Sequence, residues 1–343
     1  MRPSLVYLSV LVLSSFTWLG CAGRVLQFDR ADEVLKNAEY EDKVQVKQVE
    51  PPPQPVVEEI PESPAAVKKG AKPAVKSATT KDKKKGKTAE VVHLPDIEDS
   101  EGFTGRRPDI DPFRPGEKAS FSLSYFNVVA GTLDLEVKPM VEVNGQKAYH
   151  FEVSAVSNSF FNRIYMVDDK AVTYVTYDDL RPLNLSITIK ESKQLAETRT
   201  FFDWKTHKAN YWQKRITKEK GEQSKKIEWT ILPYSQNVIS AVYYLRTFKL
   251  AVGKKIAFRV ADEGKNIVFK GDVLRKEKLK TDAGTFETFV VKPEITVDGV
   301  FKPVGDILIW VTDDDRRFVV RLESKIKIGT VVAKLKSLDK GRE

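Results

Sequence analysis

The sequence predicts a mainly β fold, an antiparallel open barrel or sandwich of about a dozen or more strands wrapped around one helix. Three observations lead to this fold class. Apolar and polar residues alternate with a period of two through most of residues 112–343, and turn signals interrupt the alternation at intervals of roughly 8 to 12 residues. Only one stretch of that region, about residues 235–249, repeats its apolar residues at helical spacing through several turns.

The helical stretch is the element around which we expect the sheet to curve. Ser235 or Asn237 is placed to cap the free N–H groups at its start, and Gly253 follows it as a stop signal. A single helix in a β-rich domain has to bury its apolar face against the sheet, because no second helix is available to cover it. The predicted inward stripe is Val238, Ala241, Val242, Leu245 and Phe248, with Tyr244 at its border and Tyr243 and Arg246 to the side or outside.

The strands follow from the alternation in chain order. Phe121, Leu123 and Tyr125 alternate with serines in the first strand. Residues 133–137 repeat the pattern, and Asn144-Gly145 predicts a type I′ hairpin turn. The remaining predictions are one helical turn within residues 157–163 and strands over residues 149–155, 171–177, 183–190, 197–204, 208–214, 225–231, 255–261, 266–279, 285–296, 304–311, 317–326 and 328–336.

The chain has a formal charge of +9, and the positive excess lies in the predicted domain. Residues 112–343 hold 40 Lys and Arg against 30 Asp and Glu, whereas residues 1–111 hold 17 against 18. A basic balance favours anionic partners such as nucleic acid, phospholipid or phosphorylated glycan. The cellular compartment decides among these partners.

The first 20 residues have the pattern of a bacterial lipoprotein signal peptide. Arg2 provides a short basic region, and a mostly apolar run follows from residue 5 to residue 19. Leu19-Gly20-Cys21-Ala22 then resembles a lipobox, in which the cysteine becomes the lipidated first residue of the mature protein. Cys21 is the only cysteine in the chain and stands where lipidation needs it, so we predict a lipid anchor on Cys21.

Two other interpretations of the N-terminus stay open. One is an ordinary signal peptide that is cut after Gly23, and the other is an uncleaved membrane anchor. The anchor is disfavoured because the apolar run of about 15 residues is shorter than the roughly 20 that span a bilayer. Ala22 stands where Asp would signal inner-membrane retention in enterobacterial sorting, so the predicted location is the periplasmic face of the outer membrane. This compartment argues against nucleic acid as a partner.

Two segments connect the signal peptide to the globular domain predicted for residues 112–343. Residues 21–40 form a polar region with a predicted short helix over residues 28–40. Residues 41–111 are rich in Pro, Lys and Glu and have no sustained periodicity, which predicts a disordered linker. Lysines between residues 68 and 87 form a basic block, which we interpret as solvated linker sequence rather than as an adhesive for anionic lipid or cell-wall polymer.

Five segments of the domain, taken in order and spacing, form a recognisable pattern. They are PGEKASFSLSYFNVVAGTLDLEV, IYMVDD, LPYSQNVISAVYYLRTFKLAVGKK, DAGTFETFVV and GDILIWVTDDDRRFVVRLESKIKIGTVVAKL. Together they resemble a family of periplasmic proteins, the domain-of-unknown-function family 3108. The resemblance covers about residues 113–338 and implies a fold and a periplasmic location, but no catalytic residue, since the family has no established activity. By architecture alone, an open barrel around a helix is also similar to the LolA and LolB lipoprotein carriers.

The domain lacks the motifs of common enzymes and cofactor sites. It contains no G-x-S-x-G, H-E-x-x-H, P-loop or G-x-G-x-x-G motif, and His150 and His207 are isolated in separate strands. Residues 313–317, Asp-Asp-Asp-Arg-Arg, are predicted to form a hairpin turn with self-paired charges, because the alternating Asp spacing of a calcium loop is missing. We therefore predict no enzyme activity, no cofactor and no metal.

Aromatic residues are the remaining candidates for a binding site, and they either belong to the core or line a groove. One hypothesis is a non-catalytic module that binds a lipid, an acyl chain or an envelope glycan. The alternative is a structural tether that links the outer membrane to peptidoglycan or to an envelope protein complex. A cavity inside the barrel favours the first hypothesis and a filled barrel the second. The candidate ligand-binding residues are Trp204, Trp212, Trp229, Tyr243, Tyr244 and Trp310, with Phe160, Phe161 and Tyr165 as further candidates.

Overall fold

The computed structural model describes residues 37–49, 110–297, 300–302, 306–325 and 329–342, so the predicted signal peptide, Cys21 and most of the linker lie outside the described residues. The helices in the described residues are α1 (Ala38–Lys43) and α2 (Ser240–Tyr244), and 3-10 turns cover Phe161–Arg163 and Leu245–Thr247. The strands are β1 (Val46–Gln48), β2 (Glu117–Tyr125), β3 (Val128–Val143), β4 (Gln146–Ser157), β5 (Val167–Thr176), β6 (Asn184–Glu191), β7 (Gln194–Asp203), β8 (Lys208–Thr217), β9 (Gly221–Thr230), β10 (Lys255–Asp262), β11 (Lys265–Thr281), β12 (Gly284–Val297), β13 (Val300–Lys302), β14 (Asp306–Thr312), β15 (Val319–Lys325) and β16 (Thr330–Lys340).

These strands form one open antiparallel sheet. Strands β2 to β9 make one up-and-down meander and strands β10 to β16 a second, in which β14 pairs with β12 and β13 pairs with the end of β12. β16 lies beside β2 and joins the two meanders, which leaves β9 and β10 as the edges of the sheet. The predicted mainly β, antiparallel open barrel is confirmed as the fold class.

Local signals in the sequence account for the individual elements. Alternate residues of β2 from Glu117 to Leu123 are buried and those between them are partly exposed, as a period of two requires. Asn144 and Gly145 both have positive φ, 50° and 81°, as a type I′ turn needs. The predicted strands are observed with small shifts at their ends, and the 3-10 turn at Phe161–Arg163 falls within the predicted helical turn.

The chain segment between β9 and β10 covers part of the opening between these two edge strands. The Gln236 N–H donates to the Arg259 carbonyl at 2.9 Å, and the Ala261 N–H donates to the Gln236 carbonyl at 2.8 Å. The Asn266 amide also donates to the Thr230 carbonyl at 3.0 Å. The two bonds of Gln236 satisfy backbone groups of β10 that an edge strand would otherwise leave unpaired, and the Asn266 bond links β11 to the end of β9.

Helix α2 is shorter than the sequence predicted. A helix was expected over residues 235–249, but only residues 240–244 are α-helical, and Phe248 ends the following 3-10 turn with extended backbone. The start is displaced because the backbone at Gln236 bonds to β10 instead of continuing a helix. Asn237 makes the predicted capping contact, since its Oδ1 accepts from the backbone N–H groups of Ile239 and Ser240 at 3.0 and 2.8 Å.

Two helix residues that were predicted to lie at the side or outside are buried. The Tyr243 ring stacks on Phe151 with 3.9 Å between centroids, and its hydroxyl donates to the Glu136 carbonyl at 3.0 Å. The Arg246 side chain is 4% exposed and pairs with Glu117, which is 3% exposed. The prediction was wrong because the barrel encloses the helix on more than one face, and polar groups are tolerated there when they find partners.

Residues 37–49 pack on the outer face of the sheet. Tyr40 of α1 is buried against Trp212, with 6.3 Å between ring centroids, and β1 pairs with β3. The predicted disordered linker from residue 41 is therefore wrong for residues 41–48, because burial of Tyr40 and Val44 holds this segment on the domain. The rest of the linker prediction falls almost entirely outside the described residues.

The two ends of the barrel differ in what they carry. The helix end carries residues 110–116, α2 and the turn at residues 313–318. The loop end carries the β2–β3 hairpin turn at residues 126–127, the β4–β5 connection at residues 158–166 and the β6–β7 turn at residues 192–193. Neither helix of the described chain is long and apolar enough to cross a membrane.

Candidate functional site: an apolar cavity beneath the helix

A cavity of about 140 Å³ lies between α2 and the inner face of the sheet, and it is partly open to solvent. Its walls come from α2 and from strands of both meanders, mainly β10 to β12 and β14 to β16 with β2 and β3. Eighteen of its twenty lining residues are apolar, and the two others are Glu323 and Ser324. The site is therefore an almost continuous hydrocarbon surface.

The sequence pattern explains why the walls are apolar. Ile307 and Ile309 of β14, like Ile267 and Phe269 of β11, are spaced by two residues, so each pair projects to the same face of the sheet. Four of the five residues of the predicted inward stripe line the cavity, two from α2 and one each from the segment before it and the 3-10 turn after it. The fifth, Phe248, is buried against neighbouring rings. The four are Val238, Ala241, Val242 and Leu245.

The polar part of the lining is small and lies near the loop end. Glu323 and Ser324 stand close to the end of β15, and the Glu323 carboxylate accepts from the Arg321 Nε at 2.7 Å. That bond takes up part of the hydrogen-bonding capacity of the carboxylate. A ligand with many hydroxyl groups would leave most of them without partners here, which is unfavourable.

A buried ion network holds α2 at the helix end. The Arg246 guanidinium donates to the Glu117 carboxylate at 2.5 and 3.1 Å, and Arg316 donates to the same carboxylate at 2.7 Å. Both arginines also donate to the Pro112 carbonyl, at 2.6 and 2.9 Å. The Arg246 guanidinium is within 5.1 Å of the Phe113 ring centroid. The network fixes the helix that forms one wall of the cavity.

The turn at residues 313–317 is present, but its charges are not paired with one another as predicted. Asp314 Oδ1 accepts from the backbone N–H groups of Arg316 and Arg317 at 3.0 and 2.7 Å. The Arg316 side chain instead pairs with Glu117, and Asp313 pairs with Lys276 at 2.5 Å. Self-pairing was wrong because both partners come from strands that are distant in sequence. No group of His, Cys, Asp and Glu in the described residues is suited to hold a metal ion.

The aromatic residues that the sequence suggested as ligand-binding lie outside the cavity wall. Tyr243 and Tyr244 are buried in the core beside it, and Trp310 is buried with its indole N–H donating to Glu277. Trp212 packs under α1, and Trp204 donates to the Pro182 carbonyl at 2.7 Å. Trp229 lies on the edge strand β9, partly buried against the core. The structure does not bring the six together, and their role in ligand binding stays a prediction.

The aliphatic residues that the strands contribute to the lining were not predicted, because only aromatic residues were proposed as ligand-binding positions in the strands. The available signal was the inward stripe of α2 together with Ile and Val at alternate positions of the later strands. Such residues are common in any core, so the pattern alone does not distinguish a wall from a filled interior.

A second buried polar cluster lies in the other half of the barrel, near the loop end. The Tyr165 hydroxyl and the Gln194 amide each donate to Glu191 Oε2 at 2.6 Å. Burial and the nearby Glu191 charge raise the pKa of Asp169 to about 8. The Asp169 carboxyl group therefore keeps its proton at neutral pH. None of these residues lines the apolar cavity.

The two histidines of the domain do not form a site. Burial lowers the pKa of His150, whose Nε2 lies 4.0 Å from the Glu152 carboxylate. His207 stands in the turn between β7 and β8 with φ of 53° and its ring against Trp204. His150 lies in β4 as predicted, but the prediction of a strand position was wrong for His207, which lies in the turn before β8.

Comparison with solved structures finds barrel-like proteins of low sequence identity. A beta-barrel-like protein of the domain of unknown function DUF1849 from Brucella abortus is 13% identical, with 66% of this chain and 98% of that chain covered and a TM-score of 0.38. A protein described as exported, with a YmcC-like fold, from Bacteroides fragilis is 10% identical, with 66% and 97% covered and a TM-score of 0.30. A protein described as a lipoprotein, from Parabacteroides distasonis, is 10% identical, with 66% and 98% covered and a TM-score of 0.29.

Comparison with curated proteins finds no match. Comparison with family models finds a match. Residues 120–336, more than half of the chain, match the model of DUF3108, described as a protein of unknown function. This range includes the strands and the helix residues that line the cavity. The chain belongs to the DUF3108 family.

Proposed function

We propose that the domain is a non-catalytic binding module that holds the acyl chain of a lipid between α2 and the sheet. The observation that carries this proposal is the lining of the cavity, in which only Glu323 and Ser324 are polar. Each methylene group that leaves water for such a surface contributes about 0.8 kcal/mol. An envelope glycan, the other ligand class suggested by the sequence, would gain little there because its hydroxyl groups would lose water without finding partners.

The size of the cavity fits a segment of an acyl chain. An engineered apolar cavity of about 150 Å³ stays dry and binds benzene, which has six carbon atoms. The cavity of about 140 Å³ therefore has room for a comparable number of methylene groups, a gross gain of about 5 kcal/mol. The rest of a longer chain would leave through the open side of the cavity.

The proposed location is the periplasmic face of the outer membrane, with a lipid on Cys21 as the anchor. Support comes from the lipobox-like sequence at residues 19–22 and from the lone cysteine within it. An anchor there would keep the module close to a bilayer that supplies lipids. The absence of enzyme motifs and the unknown-function family agree with a role that is not catalytic.

Binding of a fluorescent fatty acid by the purified protein tests this function. Ala241→Trp places an indole ring in the cavity from the helix, and Ala333→Phe narrows it from the opposite wall. We expect each variant to weaken probe binding at least tenfold. Val252→Trp, at an exposed position outside the cavity, should bind like the wild type.

Two results would contradict the proposal. One is a wild-type protein that fails to bind the probe, and the other is undiminished binding by both cavity variants after circular dichroism has shown that they are folded. Either result would favour the alternative, a structural tether, for which the interior has no ligand.

A further inference from the structure

The loop end of the barrel exposes large apolar side chains. Phe126 is 59% exposed, Phe160 64% and Ile164 68%, and Val128 and Val129 are also exposed. Large apolar groups that lie together on a protein surface mark an interaction site more often than isolated ones do. We call these five residues the apolar ridge.

The ridge is built as one surface. The Asn158 backbone N–H donates to the Ala130 carbonyl at 2.9 Å, and its side-chain amide donates to the Val129 carbonyl at 2.7 Å. Asn158 Oδ1 accepts from the backbone N–H groups of Phe160 and Phe161 at 3.1 and 3.0 Å. One asparagine thus joins the two loops of the ridge and fixes the turn that exposes Phe160.

The hairpin turn at the ridge uses a residue that is unfavourable for its backbone. Phe126 and Asn127 have φ of 48° and 61°. This is the left-handed backbone conformation, which residues other than Gly, Asn and Asp rarely adopt. The turn at Asn144 and Gly145 has the same sign of φ and uses the favoured residues. The Phe126 ring packs on one side against Tyr125, with 4.5 Å between centroids, and still leaves much of its surface exposed. Strained backbone of this kind clusters at functional sites, which points to contact between the exposed ring and a partner.

The cavity extends toward this same end. Val331 of the cavity wall pairs with Tyr125, the residue before Phe126, and Ser324 of the wall pairs with Val331. The helix and its buried ion network occupy the opposite end. An acyl chain that passes the ridge would therefore meet the polar edge of the cavity and then its apolar wall.

Positive charges surround the ridge. Arg163 is exposed between Phe160 and Ile164 in the chain. Lys193 is exposed in the next turn, where the Ser192 N–H donates to the Met166 carbonyl at 3.1 Å. Exposed Lys325 pairs with Thr330, the residue after Gly329, against which the Phe126 ring lies. On its other side Lys325 pairs with Asp306 of β14, so Arg163 and Lys193 carry most of the positive charge beside the ridge.

Acidic residues are few in the loops that carry the ridge. The turns at residues 126–127 and 192–193 and the connection at residues 158–166 contain no Asp or Glu, and exposed Asp168 follows that connection at the start of β5. The domain as a whole has ten more basic than acidic residues. An exposed apolar surface with a basic surround complements a bilayer that contains anionic lipids.

We propose that the apolar ridge docks on a bilayer that contains anionic lipids and places the cavity entrance against the membrane. The docking proposal depends only on the apolar ridge and the charges beside it. The entry of an acyl chain past the ridge into the cavity rests on the proposed function. The ridge residues enter the interface between headgroups and acyl chains, and the basic residues pair with lipid phosphates.

Vesicle binding tests the proposal. The protein used is the mature chain, residues 21–343, with Cys21→Ala so that no lipid anchor contributes to binding. The probes are vesicles of phosphatidylethanolamine and phosphatidylglycerol at 0.3 M salt, which weakens contacts from the basic block at residues 68–87. The ridge variant is Phe126→Asn with Phe160→Ser and Ile164→Ser. Asn suits the left-handed backbone at position 126, so the hairpin is retained.

We expect the ridge variant to lower the partition coefficient about tenfold. The control Val252→Ser, which removes an equally exposed apolar residue elsewhere, should leave it unchanged. Vesicle binding by the ridge variant at the wild-type level would overturn the proposal. So would a wild-type dimer in vesicle-free solution that the ridge variant abolishes, because the ridge would then join two copies of the chain.

The two proposals fail separately. The ridge variant should bind the fluorescent fatty acid in vesicle-free solution as the wild type does, because the substituted residues do not line the cavity. If vesicle binding depends on the ridge but no probe binds the cavity, docking stands and the acyl-chain function fails. If the probe binds and the ridge variant still binds vesicles, docking is overturned and the function stands.

Discussion

Truncation of Leu245 should cost less stability than truncation of an equally buried leucine that does not border the cavity. Leu245 and Leu335 are both buried in the same core cluster, but only Leu245 lines the cavity. Leu245→Ala and Leu335→Ala remove the same three carbon atoms, so their transfer terms are equal at about 2.4 kcal/mol. The difference between them reports how tightly each site is packed.

The packing term is worked out from the surroundings of each residue. Leu335→Ala opens a new hole in a filled region, and such substitutions cost about 2–5 kcal/mol in total. Leu245 already faces empty space on one side and makes fewer contacts there, so its truncation forfeits less dispersion energy. We expect Leu245→Ala to cost about 2.5 kcal/mol, close to the transfer term alone, and Leu335→Ala about 3–4 kcal/mol.

Urea unfolding of delipidated protein, followed by circular dichroism, measures both free energies of unfolding. The comparison is valid if the two variants keep the m-value of the wild type. A Leu245→Ala cost equal to or larger than that of Leu335→Ala would refute the argument, because it would show that the space beside Leu245 is filled.

Three further predictions concern other parts of the chain. Glu117→Gln leaves Arg246 and Arg316 buried without a counter-charge and should lower the free energy of unfolding by about 3–5 kcal/mol. The control Glu228→Gln, on the exposed edge strand β9, should change the free energy of unfolding little. Equal effects of the two substitutions would contradict the buried network. The pKa of Asp169 is 3.8 in the unfolded chain and about 8 in the folded protein, so between these pH values only the folded protein keeps the proton. The free energy of unfolding should therefore fall as the pH rises from 3.8 to about 8, by up to about 1.4 kcal/mol per pH unit. Asp169→Asn should flatten this fall in the melting temperature while exposed Asp168→Asn does not, and a fall that persists in Asp169→Asn would contradict the assignment. Cys21→Ala should lower the share of the protein in the membrane fraction, because only reversible docking through the apolar ridge then remains, and a mature N-terminus that begins at another residue would rule out lipidation there.

The sheet was predictable from the sequence because strand signals are local. The period of two in β2 and the Asn144-Gly145 turn depend only on neighbouring residues, and both are observed. The inward stripe of α2 was predictable for the same reason. The length of that helix was not, because Gln236 bonds to the edge of β10, a contact that local spacing does not contain.

The site was only partly predictable because its parts are distant in sequence. Arg246 was placed at the side or outside of the helix by its spacing from the apolar stripe, but Glu117, 129 residues away in the chain, pairs with it and makes burial favourable. The cavity likewise depends on how much volume many strands enclose. Residues such as Ile309 and Leu322 have the same local pattern whether they face a void or a neighbouring side chain.

Photo-crosslinking tests the central claim, that an acyl chain occupies the cavity, most directly. A fatty acid with a diazirine near its methyl end is bound to the purified protein, irradiated and mapped by mass spectrometry of the digested chain. We predict that the label lies on α2 and on cavity strands, at residues such as Leu245, Ile309 and Leu322, and that Ala241→Trp suppresses it. Labelling confined to aromatic residues outside the cavity, such as Trp204 and Trp229, or labelling that Ala241→Trp leaves unchanged, would contradict the claim.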